Sequence, residues 1–192
     1  MAILPVYLFD HPVLRKKAKP VREVDGELRS QAADMMETMH KASGIGLAAN
    51  QVGSLRRIIV VDISGLEDAA PDAGPLVMVN PEVVEEEGRW VMEEGCLSIP
   101  DIREEVERAE RIRVRYRDLA FDQRELETDG LQARVILHEI DHLNGVLFFD
   151  HIGAVRRKLL RGRLNKIAHG DCETAYPAVL ADGALKAETP SL

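Results

Sequence analysis

The run His138-Glu139-Ile140-Asp141-His142 combines two imidazoles and a carboxylate at a spacing that can do chemistry. On an α-helix, residues four apart share a face one turn apart. His138 and His142 can therefore direct two ring nitrogens at one divalent cation. Glu139, beside the first of them, is placed to take a proton from a water activated there. The pattern is that of metal-dependent hydrolases of amide or peptide bonds. A chance pair of helix histidines looks the same over five residues, so the argument turns on a third ligand.

One protease class extends the motif to H-E-x-x-H-x-x-G-x-x-H. Gly145 falls in the right place for it, but Phe148 stands where the histidine belongs. A second class takes a glutamate about twenty residues downstream, yet residues 159–165 contain no acid and the first downstream glutamate is Glu173. The third ligand is therefore sought upstream, at Cys96 in Glu93-Glu94-Gly95-Cys96-Leu97-Ser98-Ile99-Pro100. A thiolate with two imidazoles leaves the fourth tetrahedral position open, as catalysis requires. A lone cysteine is otherwise a small buried hydrophobe, but Gly95 and Pro100 suggest a shaped loop rather than a core strand. A further run, Gly44-Ile45-Gly46-Leu47-Ala48-Ala49-Asn50-Gln51-Val52-Gly53, has glycines that permit positive φ or close backbone approach. Its Gln51 reads as a buried hydrogen-bonding amide among small apolar residues.

Taken together, the three runs resemble the peptide deformylases, whose signatures G-x-G-L-A-A-x-Q, E-G-C-L-S and H-E-x-D-H-L all occur here in order. His11-Pro12-Val13-Leu14-Arg15 through Pro20-Val21 is similar to that family's opening segment, and the resemblance spans roughly residues 2–168. It implies a hydrolase that removes the N-formyl group from the initiator methionine of nascent polypeptides and releases formate. By the same resemblance Cys96, His138 and His142 hold the metal and Glu139 carries the proton. The Gln51 side chain and the Leu97 backbone N–H then donate to the formyl oxygen. An extended substrate backbone is expected against Ile45-Gly46 and Glu94-Gly95, a strand-addition mode indifferent to side chains. Ile45, Met92, Leu131 and Val135 are the expected apolar pocket for the methionine side chain, and Arg103 is expected to orient Glu94. The implied metal is Fe²⁺, one per chain, with Zn²⁺, Ni²⁺ or Co²⁺ able to substitute at a Cys/His/His site. One position departs from the family: Leu137 stands where glutamine usually precedes the first histidine. It is expected to point away from the ligands and leave the enzyme active. The alternative is a homologue that binds formylated or acylated N-termini without catalysis, or acts on a different acylated amine.

The elements that must position these groups suggest a single α+β domain of antiparallel or mixed strands around a central metal-binding helix. The chain has 192 residues, 45% hydrophobic, enough for one substantial core. Asp25 should cap a helix to about residue 41, with Leu28, Ala32, Met35, Met36 and Met39 on one face. Residues 57–63 and 76–79 read as strands, the second stopped by Asn80-Pro81, with a loop over 68–75 between them. A strand is also expected within 83–92. Ile112, Val114 and Tyr116 alternate with arginines, as in a half-exposed strand. Thr128 or Asp129 should cap the metal helix, and a last helix covers about 153–168. The catalytic domain is thus placed at 1–170 and a fraying tail at 171–192. Two distant cysteines, Cys96 and Cys172, argue against a disulfide scaffold and for the reducing cytoplasm. No apolar run reaches the ~20 residues that span a membrane. A net charge of −8 excludes a general nucleic-acid binder. Against it, Arg156, Arg157, Lys158, Arg161, Arg163 and Lys166 form a stretch free of acids, which by the family resemblance suggests docking on the ribosome.

Overall fold

The computed structural model describes residues 2–66 and 74–189, so most of the loop expected over 68–75 lies outside the described residues. In chain order the elements are β1 (Val6–Tyr7), α1 (Gly26–Lys41), β2 (Gly46–Ala48), β3 (Ile58–Val61), β4 (Leu76–Glu87), β5 (Trp90–Cys96) and β6 (Ile99–Arg108). They continue as β7 (Arg111–Arg117), β8 (Gln123–Asp129), α2 (Gly130–Leu143), α3 (Ala154–Ala168), β9 (Ala178–Val179) and β10 (Leu185–Lys186). The class is α+β, as expected.

The β-branched run of β3 is buried at all four positions, because helices cover both faces of its sheet. That sheet is antiparallel throughout, in the order β2-β3-β4-β7-β8. Side chains alternate across a strand, so Ile58 and Val60 meet Leu28, Ala32, Met35 and Met39 of α1. Ile59 and Val61 point the other way, into a second cluster with Ala133, Ile136, Ile140 and Leu143 of α2. The Asp25 carboxylate accepts the Leu28 N–H at 2.7 Å and starts α1 where the sequence indicated. At the head of α2, Asp129 occupies the cap position but makes no side-chain cap bond, and Thr128 Oγ1 instead donates to Gln132 Oε1 at 2.7 Å.

A third cluster lies beyond α2. The two-stranded antiparallel β5–β6 hairpin packs Ile99, Ile102 and Val106 against Phe148 and Phe149, and against Leu160, Leu164 and Ile167 of α3. Helix α2 is thus central, with the large sheet on one side and the hairpin on the other.

Three expectations need correction. β4 does not stop at Asn80-Pro81. It runs through them as a bulge, with Asn80 at φ 53° and the register shifting before Glu82. The Asn80 side chain makes this possible by accepting the Val21 N–H and donating to the Val21 carbonyl, at 2.8 and 2.7 Å. Residues 171–189 do not fray: β9 pairs in parallel with β1 and antiparallel with β10, and Tyr176, Ala178 and Val179 are buried. The expectation failed because the stabilising partners of this polar segment lie at the other end of the chain. Finally, the Cys96 run is not a free loop, since Cys96 and Ile99 pair at the tip of the hairpin.

Gly145 closes the turn after α2 at φ 77°, and a Cβ there would lie 2.6 Å from the Arg15 carbonyl oxygen. Gly145→Ala is therefore expected to lower stability by about 1–3 kcal/mol, from backbone strain with the clash added. The shift in the urea midpoint at unchanged slope measures it.

Candidate active site

The helical spacing of His138 and His142 turns both rings toward the hairpin tip. Their Nε2 atoms lie 3.2 Å apart, and His142 Nε2 is 3.2 Å from Cys96 Sγ. One donor atom from each of Cys96, His138 and His142 falls within 4.8 Å of the other two, a group that could hold a metal ion. The donor set, one sulfur and two imidazole nitrogens, suits a borderline-soft divalent ion.

The orientation of His138 is set from behind. Its Nδ1 lies 2.9 Å from Glu94 Oε2. The Glu94 carboxylate also accepts two hydrogen bonds from Arg108, at 2.6 and 3.0 Å, and one from Arg134 at 2.6 Å. Burial pushes the Glu94 carboxyl up, but the hydrogen bonds and charges of His138 and Arg108 outweigh it and hold the group at about 2. Glu94 is thus an ionised, acceptor-only partner, so His138 Nδ1 carries a proton and Nε2 is the nitrogen that faces the centre. Burial works against a charged His138, yet hydrogen bonds with Cys96 and Glu94 raise it to about 10. The field that favours a proton at this point also favours a divalent cation. His142, by contrast, is driven well below its usual value by burial and by the His138 charge. A neutral ring is what a ligand needs.

The network extends outward from Glu94. Arg108 also donates to Asp141 Oδ2 at 2.8 Å, and His151 Nε2 lies 2.7 Å from the same oxygen. Arg134 donates to the Val106 carbonyl at 3.0 Å and to the Trp90 carbonyl, and its guanidinium lies 4.8 Å from the Trp90 ring centroid.

Glu139 faces the same centre. Its Oε2 is buried with no partner among the described residues, and burial raises its carboxyl to about 7. An unpaired buried oxygen at this point is a place for a water or a reacting proton. The β2 backbone passes directly over it: a Cβ on Gly46 would collide with Glu139 Oε1 and lie 2.7 Å from Val135 Cγ1. Gly44 and Gly46 are thus used for close approach, and neither has positive φ.

Gln51 is buried, with Oε1 accepting the Ala48 N–H at 2.8 Å. This bond fixes the amide so that Nε2 points to Ser98 Oγ at 3.2 Å and Cys96 Sγ at 3.5 Å. The Leu97 N–H, at the hairpin tip, donates to no protein acceptor among the described residues. Both groups border a cleft of about 480 Å³ that Ile45, Gly46, Met92, Glu94, Gly95, Cys96, Leu97, Leu131, Val135, His138 and Glu139 also line. His142 is buried behind the cleft wall.

Arg103 does not orient Glu94. It is exposed, 4.0 Å from Glu93, on the opposite strand face from Glu94's true partners. The role falls to Arg108 and Arg134, both missed in the sequence. A signal was present: on β6 the inward positions are Ile102, Glu104, Val106 and Arg108, so charge at period-two core positions marks a buried polar network. Arg134 lies one helical turn before His138, on the ligand face. Leu137 packs among the residues between α2 and the sheet, away from the ligands.

Arg108→Met would remove two hydrogen bonds from Glu94 and one from Asp141. It is expected to cost about 3–5 kcal/mol, the scale for breaking a buried charge pair, read from urea denaturation against the parent protein.

The polypeptide deformylase family model matches residues 3–158. The peptide deformylase of Salinibacter ruber is 49% identical over 187 residues, covering 94% of this chain and 96% of that protein. The crystal structure of a peptide deformylase from Legionella pneumophila superposes with a TM-score of 0.80 at 39% identity, over 88% of this chain and 98% of that one. A complex of the Ehrlichia chaffeensis enzyme with actinonin gives 0.81 at 32% identity, over 89% and 99%. With its cleft, its Cys/His/His group and these likenesses, the chain belongs to the peptide deformylase family.

Proposed function

We propose that this enzyme removes the formyl group from N-formylmethionyl peptides at the cleft between β2 and the β5–β6 hairpin, with Glu139 as its proton carrier. The family is metal-dependent, and the observation that carries the reading here is the convergence of Cys96, His138 and His142 beside an unpartnered Glu139 oxygen. Cys96, His138 and His142 would hold the metal, which would supply Lewis-acid polarisation for a water and a carbonyl. We assign Fe²⁺ as the physiological ion, with Zn²⁺, Ni²⁺ or Co²⁺ as substitutes; the mixed thiolate and imidazole set accepts each.

The protein groups divide the remaining work. An extended formyl-Met peptide lies between residues 45–46 and 94–95, which line the cleft and read main chain and not sequence. Its methionine side chain enters the apolar part of the cleft formed by Ile45, Met92, Leu131 and Val135. Glu139, with a carboxyl near 7, takes a proton from the attacking water and returns one to the leaving amine. Negative charge gathers on the formyl oxygen in the tetrahedral state. The Gln51 amide and the free Leu97 N–H are its donors, and each is worth about 2.7–4 kcal/mol if it acts as such groups usually do. Actinonin, bound by the Ehrlichia chaffeensis relative, is expected to compete with substrate at the same cleft. Leu137, facing the core, leaves these groups undisturbed and the enzyme active.

Protein loaded anaerobically with Fe²⁺ should release formate from a formyl-Met tripeptide. Glu139→Ala should keep one metal per chain and lose about 10²–10⁴-fold in kcat. Retained turnover in that variant would remove Glu139 from its role. A fully loaded parent protein without turnover would favour the alternative, a binder of acylated N-termini.

The substrate appears as chains leave the ribosome, and we assign the reaction to the cytoplasm on that ground. No helix of the described residues is long and apolar enough to cross a membrane. Helix α3 offers the ribosome contact. Arg156, Arg163 and Lys166 are engaged by Glu104, the Asp101 carbonyl and Asp171. Among the described residues, Arg157, Lys158 and Arg161 are exposed with no acidic partner, beside exposed Val155 and Leu159. Phosphate contacts release counterions, so replacing Arg157, Lys158 and Arg161 together by glutamate should abolish co-sedimentation with ribosomes at low salt while tripeptide turnover is unchanged.

A further inference from the structure

Tyr176 lies beyond the residues that the family model matches, 3–158, yet it is buried and lines the cleft. Its hydroxyl donates to the Leu97 carbonyl at 2.6 Å. The segment that delivers it is held at both ends. The Val6 and Leu8 N–H groups donate to the Pro177 and Val179 carbonyls, at 2.9 and 2.8 Å, and the Thr189 N–H donates to the Thr174 carbonyl at 2.7 Å. Leu180 and Ala178 pack with α3 and β6.

Residues 97–98 form the two-residue tip between Cys96 and Ile99. In such a turn the central peptide rotates most readily, since common turn types differ mainly by that rotation. Here the central peptide is the one between Leu97 and Ser98, and its carbonyl is the atom Tyr176 holds. The rest of the tip is anchored as well. Ser98 Oγ receives the Gln51 amide at 3.2 Å, and the Ser98 carbonyl accepts the Phe9 N–H at 2.8 Å. Tyr176 is the anchor of the turn's own carbonyl, on the same residue as the N–H that faces the cleft.

We infer that Tyr176 is a positioning residue for the deformylation step: its hydroxyl fixes the hairpin tip so that the Leu97 N–H stays aimed at the formyl oxygen. The inference rests on the proposed role of that N–H. A contact of this kind should matter more as charge develops on the oxygen than when substrate first binds, and so act on kcat rather than KM. Burial pushes the Tyr176 phenol well above its usual range, so the hydroxyl remains a donor across the pH range of any assay.

Tyr176→Phe keeps the buried ring and deletes only the donor. In the full-length, metal-loaded enzyme it should lower kcat about 3- to 10-fold, the size of one ordinary hydrogen bond, with KM within about twofold, the pH profile parallel to the parent's, and metal content unchanged. Independently of turnover, the ¹³C resonance of the Leu97 carbonyl in the zinc-loaded protein should move upfield in the variant. Parental kcat with an unmoved resonance would overturn the inference, and so would a loss confined to KM, which would make Tyr176 a substrate contact. If the parent protein itself releases no formate, the functional reading fails, and the carbonyl resonance still decides whether Tyr176 holds the turn.

Discussion

The buried Glu94 carboxylate is the charge on which the rest of this site depends. It ties hairpin to helix: Arg108 reaches it from β6, and Arg134 and His138 from α2. Burying one carboxylate alone would cost several kcal/mol, so its four hydrogen bonds must all be in place together. That requirement sets the distance between hairpin and helix, and hence the distance between Cys96 and the two histidines. Apolar packing would tolerate a small slide of the hairpin along α2, but directional hydrogen bonds to a shared carboxylate do not.

A second constraint comes from the opposite side of the cleft. Strand β2 closes over Glu139 without a side chain at Gly46, and the Ala48 N–H fixes Gln51. One short strand therefore supplies the close ceiling above Glu139, one border of the cleft, and the anchor of the Gln51 amide. Its rigidity derives from β3, which is buried on both faces between α1 and α2.

The parts legible in the sequence were those whose geometry is local. Histidines four apart meet because the helix makes them meet, and Asp25 caps α1 because a cap needs only its own first turn. The deformylase motifs also carried Cys96, Gln51 and the glycines as a set. What stayed hidden depends on pairing between distant segments. Arg108 reaches its partners only through the inward parity of β6, and assigning Glu94 to Arg103 picked the wrong face of the same strand. Asn80 reads as a strand stop until Val21, 59 residues away, supplies both of its hydrogen bonds. The tail looked unable to order itself, and alone it would be; β1 provides the partner edge.

The groups around the centre are themselves spread across the chain, with Cys96 46 residues from His142 and Gln51 45 residues from Cys96. Contacts of such sequence separation form late, after the intervening loops have closed. A nascent chain can make the α2 helix and its two histidines early, but Cys96 joins them only once the hairpin has docked. The Cys/His/His group that could hold a metal thus exists only in the finished protein. Partly folded chains offer isolated thiols and imidazoles, and loading with metal becomes the final act of maturation.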